Sequence, residues 1–254
     1  MNLLLSAASL WWRECVRFYR DRLRAIASLV TGVLFWLLFG FGLAGSFSPA
    51  GMPAGIDAME YLFPGIVIFI VLLTAIVGTF SLIEDRRQGF LQGVLVAPVP
   101  RSAIVLGKVS GGATMALLQG VILLPLAPLV GIETSPADLA LAGVALFFVA
   151  FGLTSLGFLL AWRMESIAGF HGIVNLLLMP LGILSGAFFP LEGAAGALEL
   201  LMRLDPLTYG LSAFRSALYA AEGIEPIGVV TAWSVTIGFA AVMFAAAVGM
   251  ARSR

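Results

Sequence analysis

The chain is short of charge, cysteine and histidine, and each shortage removes a class of protein. Only 11% of its 254 residues are Asp, Glu, Lys or Arg, while 61% are hydrophobic. A soluble domain is nearer about 45–50% apolar and about 25% charged. A chain this apolar has too little polar surface to cover a core in water, so the bilayer must be its solvent. One cysteine, Cys15, excludes an internal disulfide and any CxxC metal or redox site. One histidine, His171, makes no zinc site, and no Glu-x-x-His pattern accompanies it. It reads first as a hydrogen-bonded packing residue. The only Gly-Lys, Gly107-Lys108, is followed by Val109, so there is no Walker A loop and the chain does not hydrolyse ATP alone. Ser185, in GILSG, lacks the glycine pattern of a serine nucleophile turn. No catalytic residue, metal or cofactor is expected in this chain. No long polar Pro/Ser-rich segment suggests a disordered tail. The start, MNLLLSAASLWW, has no basic residue before it and no small-residue cleavage site after it. It reads as mature protein rather than as a signal peptide.

What the chain has instead is apolar runs. Six lie at residues 26–43, 61–83, 109–130, 139–162, 168–189 and 227–251, and none contains Asp, Glu, Lys or Arg. About 20 residues cross ~30 Å of hydrocarbon at about 1.5 Å per residue, so each run is long enough to span. The fold expected is an all-α integral membrane protein with six transmembrane helices in a single domain, 1–254. Pro125 and Pro128 should kink the third span near its outer end, and Pro180 the fifth. Gly89/Gly93, Gly107/Gly111 and Gly182/Gly186 are G-x-x-x-G pairs. With 29 glycines such pairs arise by chance, so only the last, in mid-span, points to close helix contact.

Residues 1–25 precede the first run and read as an amphipathic helix. Arg13, Arg17, Arg20 and Arg24 fall in one narrow stripe, with Leu4, Trp11, Cys15, Phe18 and Tyr19 opposite and Arg22 out of pattern. A basic stripe opposite aromatic residues suits a helix lying in the headgroup layer; packing on a partner in the cytosol is the alternative. Of the 14 Lys and Arg residues, only Arg203 and Arg215 lie in connections that are outside if the N-terminus is inside. The positive-inside rule therefore puts both termini and the 84–108 connection in the cytosol. On the other side, residues 190–226 are long for an outer loop and still apolar. They read as two short helices divided at Asp205-Pro206, too short to span and suited to a re-entrant pair.

The 84–108 connection, EDRRQGFLQGVLVAPVPRSAIVLGK, mixes charge with apolar residues. Arg86, Arg87 and Arg101 fit any positive-inside loop. Phe90, Leu91, Val94, Leu95 and Val96 do not, because exposing them to water is costly. A short amphipathic helix over 85–96 fits, stopped by Ala97-Pro98-Val99-Pro100, with the next helix beginning at Arg101 or Ser102. Lys108 stands where the third span enters the bilayer, placed to snorkel to the headgroups.

This connection resembles the signature of ABC-2-type exporter permeases: an acid/base run, Gly, an apolar stretch, a small-Pro-Val segment, Arg, then Leu-Gly-Lys. The GFLxxxLVAPV form is similar to the branch of drug, polysaccharide and Nod-factor exporters. SGAFFPLEG at 185–193 and DPLTYGLSAFRSAL at 205–218 resemble the family's fifth-span exit and outer re-entrant helices, although Asp205 stands where Asn is usual.

The resemblance implies an exporter's membrane subunit in a bacterial cytoplasmic (inner) membrane. Two copies would form the pathway, and each would bind a separate ATPase subunit that holds the ATP and magnesium. The helix around 84–96 would be the coupling helix. Glu84, Asp85, Arg86 and Arg87 would make charged contacts, Phe90 and Leu91 would fill the ATPase groove, and Gly89, Pro98 and Arg101 would complete the element. Asp205, Pro206, Tyr209 and Arg215 would belong to the re-entrant segment. The apolar spans suggest a hydrophobic or amphiphilic cargo, such as a drug, lipid or lipid-linked glycan. A pathway lined by the first and fifth spans makes Phe35, Phe39, His171, Asn175 and Phe188 candidate contacts. Lipid is a further expected partner and nucleic acid is not. A secondary transporter is the alternative. It would place ionisable residues at mid-membrane, and these runs carry no Asp, Glu, Lys or Arg, His171 and Asn175 being their most polar pair. A membrane-embedded enzyme would need a reactive cluster, and a channel-like or scaffold protein is the remaining reading.

Overall fold

The helices of this chain are bounded by prolines, glycines and caps more than by changes in polarity. The computed structural model describes residues 3–20, 57–191, 194–219 and 227–253, and parts of 26–41, where the described residues are helical. We label the helices α1 (Leu3–Arg20), α2 (Ala58–Arg87, with a turn at Thr79), α3 (Phe90–Val96), α4 (Arg101–Leu123), α5 (Pro136–Arg163), α6 (Ile167–Ala187), α7 (Gly196–Leu204), α8 (Pro206–Leu218) and α9 (Val229–Arg252). A 3-10 stretch, Leu124–Val130, extends α4.

Among the described residues, five helices are long and apolar enough to cross a membrane: α2, α4 with its extension, α5, α6 and α9. The first expected span, 26–43, falls partly outside the described residues and is not counted. The other five runs fall on these helices. The second helix is longer than its run. Polarity rises at Glu84, but hydrogen bonding continues through Arg87 and ends at Gly89, whose φ of 79° lies in the left-handed region. The short helix expected over 85–96 therefore begins at Phe90, and Glu84 to Arg87 belong to the end of α2.

Local chemistry explains the other boundaries. The α4 helix tightens to 3-10 geometry where Pro125 removes a backbone donor. Ser135 opens α5 with a capping box: its Oγ accepts the Asp138 N–H at 3.2 Å, and Asp138 Oδ2 accepts the Ser135 N–H at 2.8 Å. Around Pro180 the α6 ladder fails and reforms as two π segments, Val174–Leu178 and Ile183–Ala187. The missing proline N–H forces this irregularity.

The centre of the molecule is α2, packed against α4 and α5 and almost wholly buried from Tyr61 to Leu72. The α8 helix packs on both α5 and α9, which also pack on each other, and α1 lies along α4. The α1–α4 contact corrects an expectation. A Cβ built on Gly107 would come within 2.6 Å of Leu10 Cβ and 2.7 Å of the Ala7 carbonyl oxygen. One on Gly111 would come within 2.5 Å of Glu14 Cβ. The Gly107/Gly111 pair is thus the notch in which α1 sits. Gly182 is also closely packed, against Leu72 and Phe69 of α2.

Candidate functional site

Two polar clusters tie the helices together, one at each end of the bundle. The larger forms where α1, the end of α2, α3 and the start of α4 meet. Asp85 is its hub and is 0% exposed. Arg13 grips it with two bonds, Nη1 to Oδ2 at 2.7 Å and Nη2 to Oδ1 at 2.6 Å, a fork geometry that adds both strength and direction. Arg17 adds a bond from Nη1 to Asp85 Oδ1 at 3.1 Å and reaches Glu84 with its other amine. Lys108 comes from the opposite side, bonded to Asp85 and, at 2.5 Å, to Glu14 Oε1. Three cations thus meet three carboxylates, and the cluster is neutral. Neutrality with multiple hydrogen bonds is what makes buried charge tolerable.

Two expectations change here. Lys108 does not snorkel; it is buried, because two carboxylates lie within reach of its ammonium. Arg13 and Arg17 do not face headgroups; the acids on α2 draw that stripe into the protein. The open face of α1 is instead Leu4, Leu5, Trp12 and Tyr19, while Trp11 turns inward and donates to Thr114 Oγ1 at 3.0 Å.

The cluster extends to the other helices through α3. The Arg13 guanidinium lies 3.6 Å above the Phe90 ring, close enough for cation–π attraction. Arg86 leaves the cluster and donates to the carbonyls of Trp162 and Met164, at 2.8 Å to the latter. Arg101 donates to the Ala251 carbonyl at 3.0 Å. Both arginines therefore satisfy carbonyls that the C-termini of α5 and α9 leave free, where the helix dipole also favours positive charge. The connection is thereby fastened to α1, α5 and α9 as well as to its own flanking helices.

Within α3, Leu91 is buried and Phe90 half-buried, while Val96 is 87% exposed. Arg87, Gly89, Gln92, Gly93 and Pro98 are also open. Of the residues expected to face a partner, Asp85 and Leu91 point into the protein. Glu84 and Arg86 are occupied by Arg17 and by α5. Between α1 and α3 runs an apolar groove of about 420 Å³, lined by residues that include Leu5, Ser9, Phe90, Val94 and Val99.

At the far end, Arg215 is buried and donates to the carbonyls of Tyr61 at 3.1 Å and Gly186 at 3.3 Å, with its guanidinium 4.2 Å from the Tyr61 ring. Tyr61 donates its hydroxyl to the same Gly186 carbonyl at 3.1 Å, and Tyr219 donates to the Glu60 carbonyl at 2.8 Å. These bonds fix α8 to the start of α2 and the end of α6. Asp205 divides α7 from α8 as expected, its Oδ1 accepting the Leu207 N–H at 2.8 Å beside Pro206. Tyr209 donates to the Arg203 carbonyl at 2.9 Å and folds α8 back on α7.

The candidate pathway residues are not gathered in one place. His171 and Asn175 share the open face of α6, with the His171 ring 4.4 Å from Phe80. Phe188 lies past the other end of α6, edge-on to Phe69 of α2. Phe35 and Phe39 lie outside the described residues.

Five long apolar helices among the described residues, with two polar clusters joining their ends, define a polytopic membrane protein built from packed helices. Residues 6–219 match the model of the ABC-2 type transporter family, and the chain belongs to that family. It is 27% identical over 250 residues to "Inner membrane transport permease YadH" of Escherichia coli (strain K12), covering 91% of this chain and 88% of that one. It is also 27% identical over 206 residues to "Putative transport permease ycf38" of Cyanophora paradoxa, covering 78% and 70%. Against "Daunorubicin resistance ABC transporter permease protein DrrB1" of Streptomyces coeruleorubidus it is 23% identical over 226 residues, covering 86% and 77%.

Proposed function

We propose that this chain is the membrane-spanning permease subunit of an ATP-driven exporter in a bacterial inner membrane. It works as a pair of copies with both termini in the cytosol, and a separate ATPase subunit drives it. Membership of the ABC-2 family and similarity to permeases named for inner membranes and for drug resistance support this reading. The cargo class that fits is a hydrophobic or amphiphilic molecule, such as a drug, lipid or lipid-linked glycan. The open, partly polar face of α6 with His171 and Asn175 supports a place for that helix beside the second copy or the pathway, because polar groups facing lipid are costly. The apolar face of α1 suits the membrane interface.

The observation that carries the proposal is the state of α3. It is a short helix with Val96 almost fully exposed, yet its flanks are held by Arg13, Arg86 and Arg101 to three other helices. A helix that is open on one side and fastened on the other suits a lever. The ATPase grips the open face of Arg87, Gln92 and Val96 and the mouth of the groove beside Phe90. Its closure on ATP then moves α1, α5 and α9 together, a transition between two discrete packings. The test is reconstitution with the cognate ATPase subunit. Val96→Glu and Arg87→Glu should each cut ATPase co-purification and transport about tenfold or more, since interface anchors cost about 1.4 kcal/mol and upward. Their own thermal midpoints should barely move, because both side chains are exposed. Unchanged assembly and transport in the double variant would overturn the assignment of α3.

A further inference from the structure

The far end of the molecule holds a carboxyl that the ties described above do not use fully. Asp205 is 4% exposed, and only its Oδ1 is bonded, to the Leu207 N–H. Its Oδ2 is buried with no hydrogen-bond partner. Further along α8, the hydroxyl oxygens of Thr208 and Ser212 are buried and also lack partners. At about 100° per residue, positions 205, 208 and 212 fall in one stripe of the helix. An ionised carboxylate needs donors at both oxygens, and leaving one in an apolar setting is among the costliest arrangements a fold can hold.

Among the described residues no cation relieves it. Arg203, two positions earlier, is exposed and pairs with Glu199 at 2.8 Å. Arg215, at the other end of α8, is turned to the Tyr61 and Gly186 carbonyls. On the helices packed on α8, the described charged residues at this end of the bundle are acids, Glu60 on α2 beside Tyr219 and Asp138 in the α5 cap, while the arginines of α2, α5 and α9 sit at the charged end. Tyr209, one turn along α8, spends its hydroxyl proton on the Arg203 carbonyl, while Tyr61 and Tyr219 donate to backbone carbonyls at the Arg215 end of the helix.

We propose that Asp205 is a proton-binding site at the α7–α8 junction, neutral while the junction is packed and ionised when the junction opens to water. A proton is the smallest ligand that removes the buried charge, and it needs no cavity. Burial pushes the Asp205 carboxyl up to about 7, against the weaker lowering by the Leu207 N–H. In the unfolded chain the same group titrates near about 3.9. Below that value both states are protonated and nothing is lost. As pH rises from there through about 7, the unfolded chain has released its proton and the packed junction has not, so stability falls. Above about 7 the loss is complete and level. Acid therefore favours the packed junction, and alkali eases its opening. If α7 and α8 face outward, as the exporter reading has it, the proton comes from outside and biases the outer end of the pathway toward closure. That last step rests on the proposed function; the proton site itself does not.

The test compares the purified full chain with Asp205→Asn, which keeps the shape and the helix cap but carries no charge at any pH. At about pH 4 the two thermal midpoints should lie close together. Toward about pH 8 the wild type should fall several degrees below the variant. Infrared difference spectra should show a protonated carboxyl C=O band in wild type that fades over the same range and is missing from the variant. Parallel midpoint curves, or a band already absent at about pH 5, would overturn the proposal. A shift that depends on sodium or potassium at fixed pH and disappears in Asp205→Asn would replace the proton with a cation and overturn it as well. None of these readouts involves the ATPase, so the proton site and the exporter reading fail separately.

Discussion

Replacing Asp85 with alanine is expected to destabilise the protein by about 3–5 kcal/mol, the usual cost of removing one partner from a buried ion pair. The reason is what it leaves behind. Lys108, itself buried, keeps only Glu14 as a counter-ion, and Arg13 loses both arms of its fork. The contrast that decides the mechanism is the exposed pair Glu199–Arg203, one helical turn apart. Glu199→Ala should cost less than about 1 kcal/mol, because water and salt screen such pairs. Thermal unfolding of the purified chain checks both. A second variant separates charge burial from lost packing. Asp85→Ala combined with Lys108→Met removes the stranded cation and should recover part of the loss. If Asp85→Ala unfolds with the wild type, the cluster is not what fastens α1 to the rest. The functional consequence is larger than the stability loss. Arg13 also orients Phe90, so an α3 freed from Asp85 should couple poorly to α1 even where the chain still folds.

What was legible in the sequence follows from how local each feature is. The apolar runs marked five of the long helices because lipid selects composition over the whole length of a span. The break at Asp205-Pro206 and the stop at Pro98 and Pro100 were legible because proline acts on its immediate neighbours. The end of α2 was misplaced by its change in polarity. A helix stops where hydrogen bonding fails, at Gly89 with its positive φ, not where charge begins. The charged cluster was hidden for a different reason. Arg13 and Asp85 are 72 residues apart, and Lys108 and Glu14 are 94 apart. Each reads alone as an ordinary loop or interfacial charge. One signal was available: Glu14 is the one acid on the described part of an otherwise basic and apolar α1, and Gly107/Gly111 spaces two notches where such a helix could lie. Composition made that glycine pair look like chance, while packing gives it a partner.

The glycine notch carries the second large expected effect. Gly107→Leu should undock α1 from α4. A helix gains about 0.8–1 kcal/mol of intrinsic propensity when glycine is replaced, and at an open position such as Gly93 that gain would stand. At Gly107 it is overwhelmed. The new Cβ meets the Ala7 carbonyl oxygen at 2.7 Å, and backbone cannot swing aside as a side-chain tip can. Overpacking alone costs about 1–3 kcal/mol. Relief by moving α1 away costs more, because Glu14 then leaves Lys108, and Arg13 and Arg17 leave Asp85. The single cysteine reports which relief is taken. Cys15 is half-buried on α1, and burial, aided by the charge of Glu14, pushes its thiol up, so a maleimide should label it slowly in the wild type. In Gly107→Leu the labelling rate should rise several-fold while the long helices stay folded, as circular dichroism would report. Gly93→Ala, where a Cβ meets nothing within 4 Å, should label at the wild-type rate. An unchanged rate in Gly107→Leu would mean that α4 shifts instead and that α1 remains seated. The cluster around Asp85, not the notch, would then decide where α1 lies.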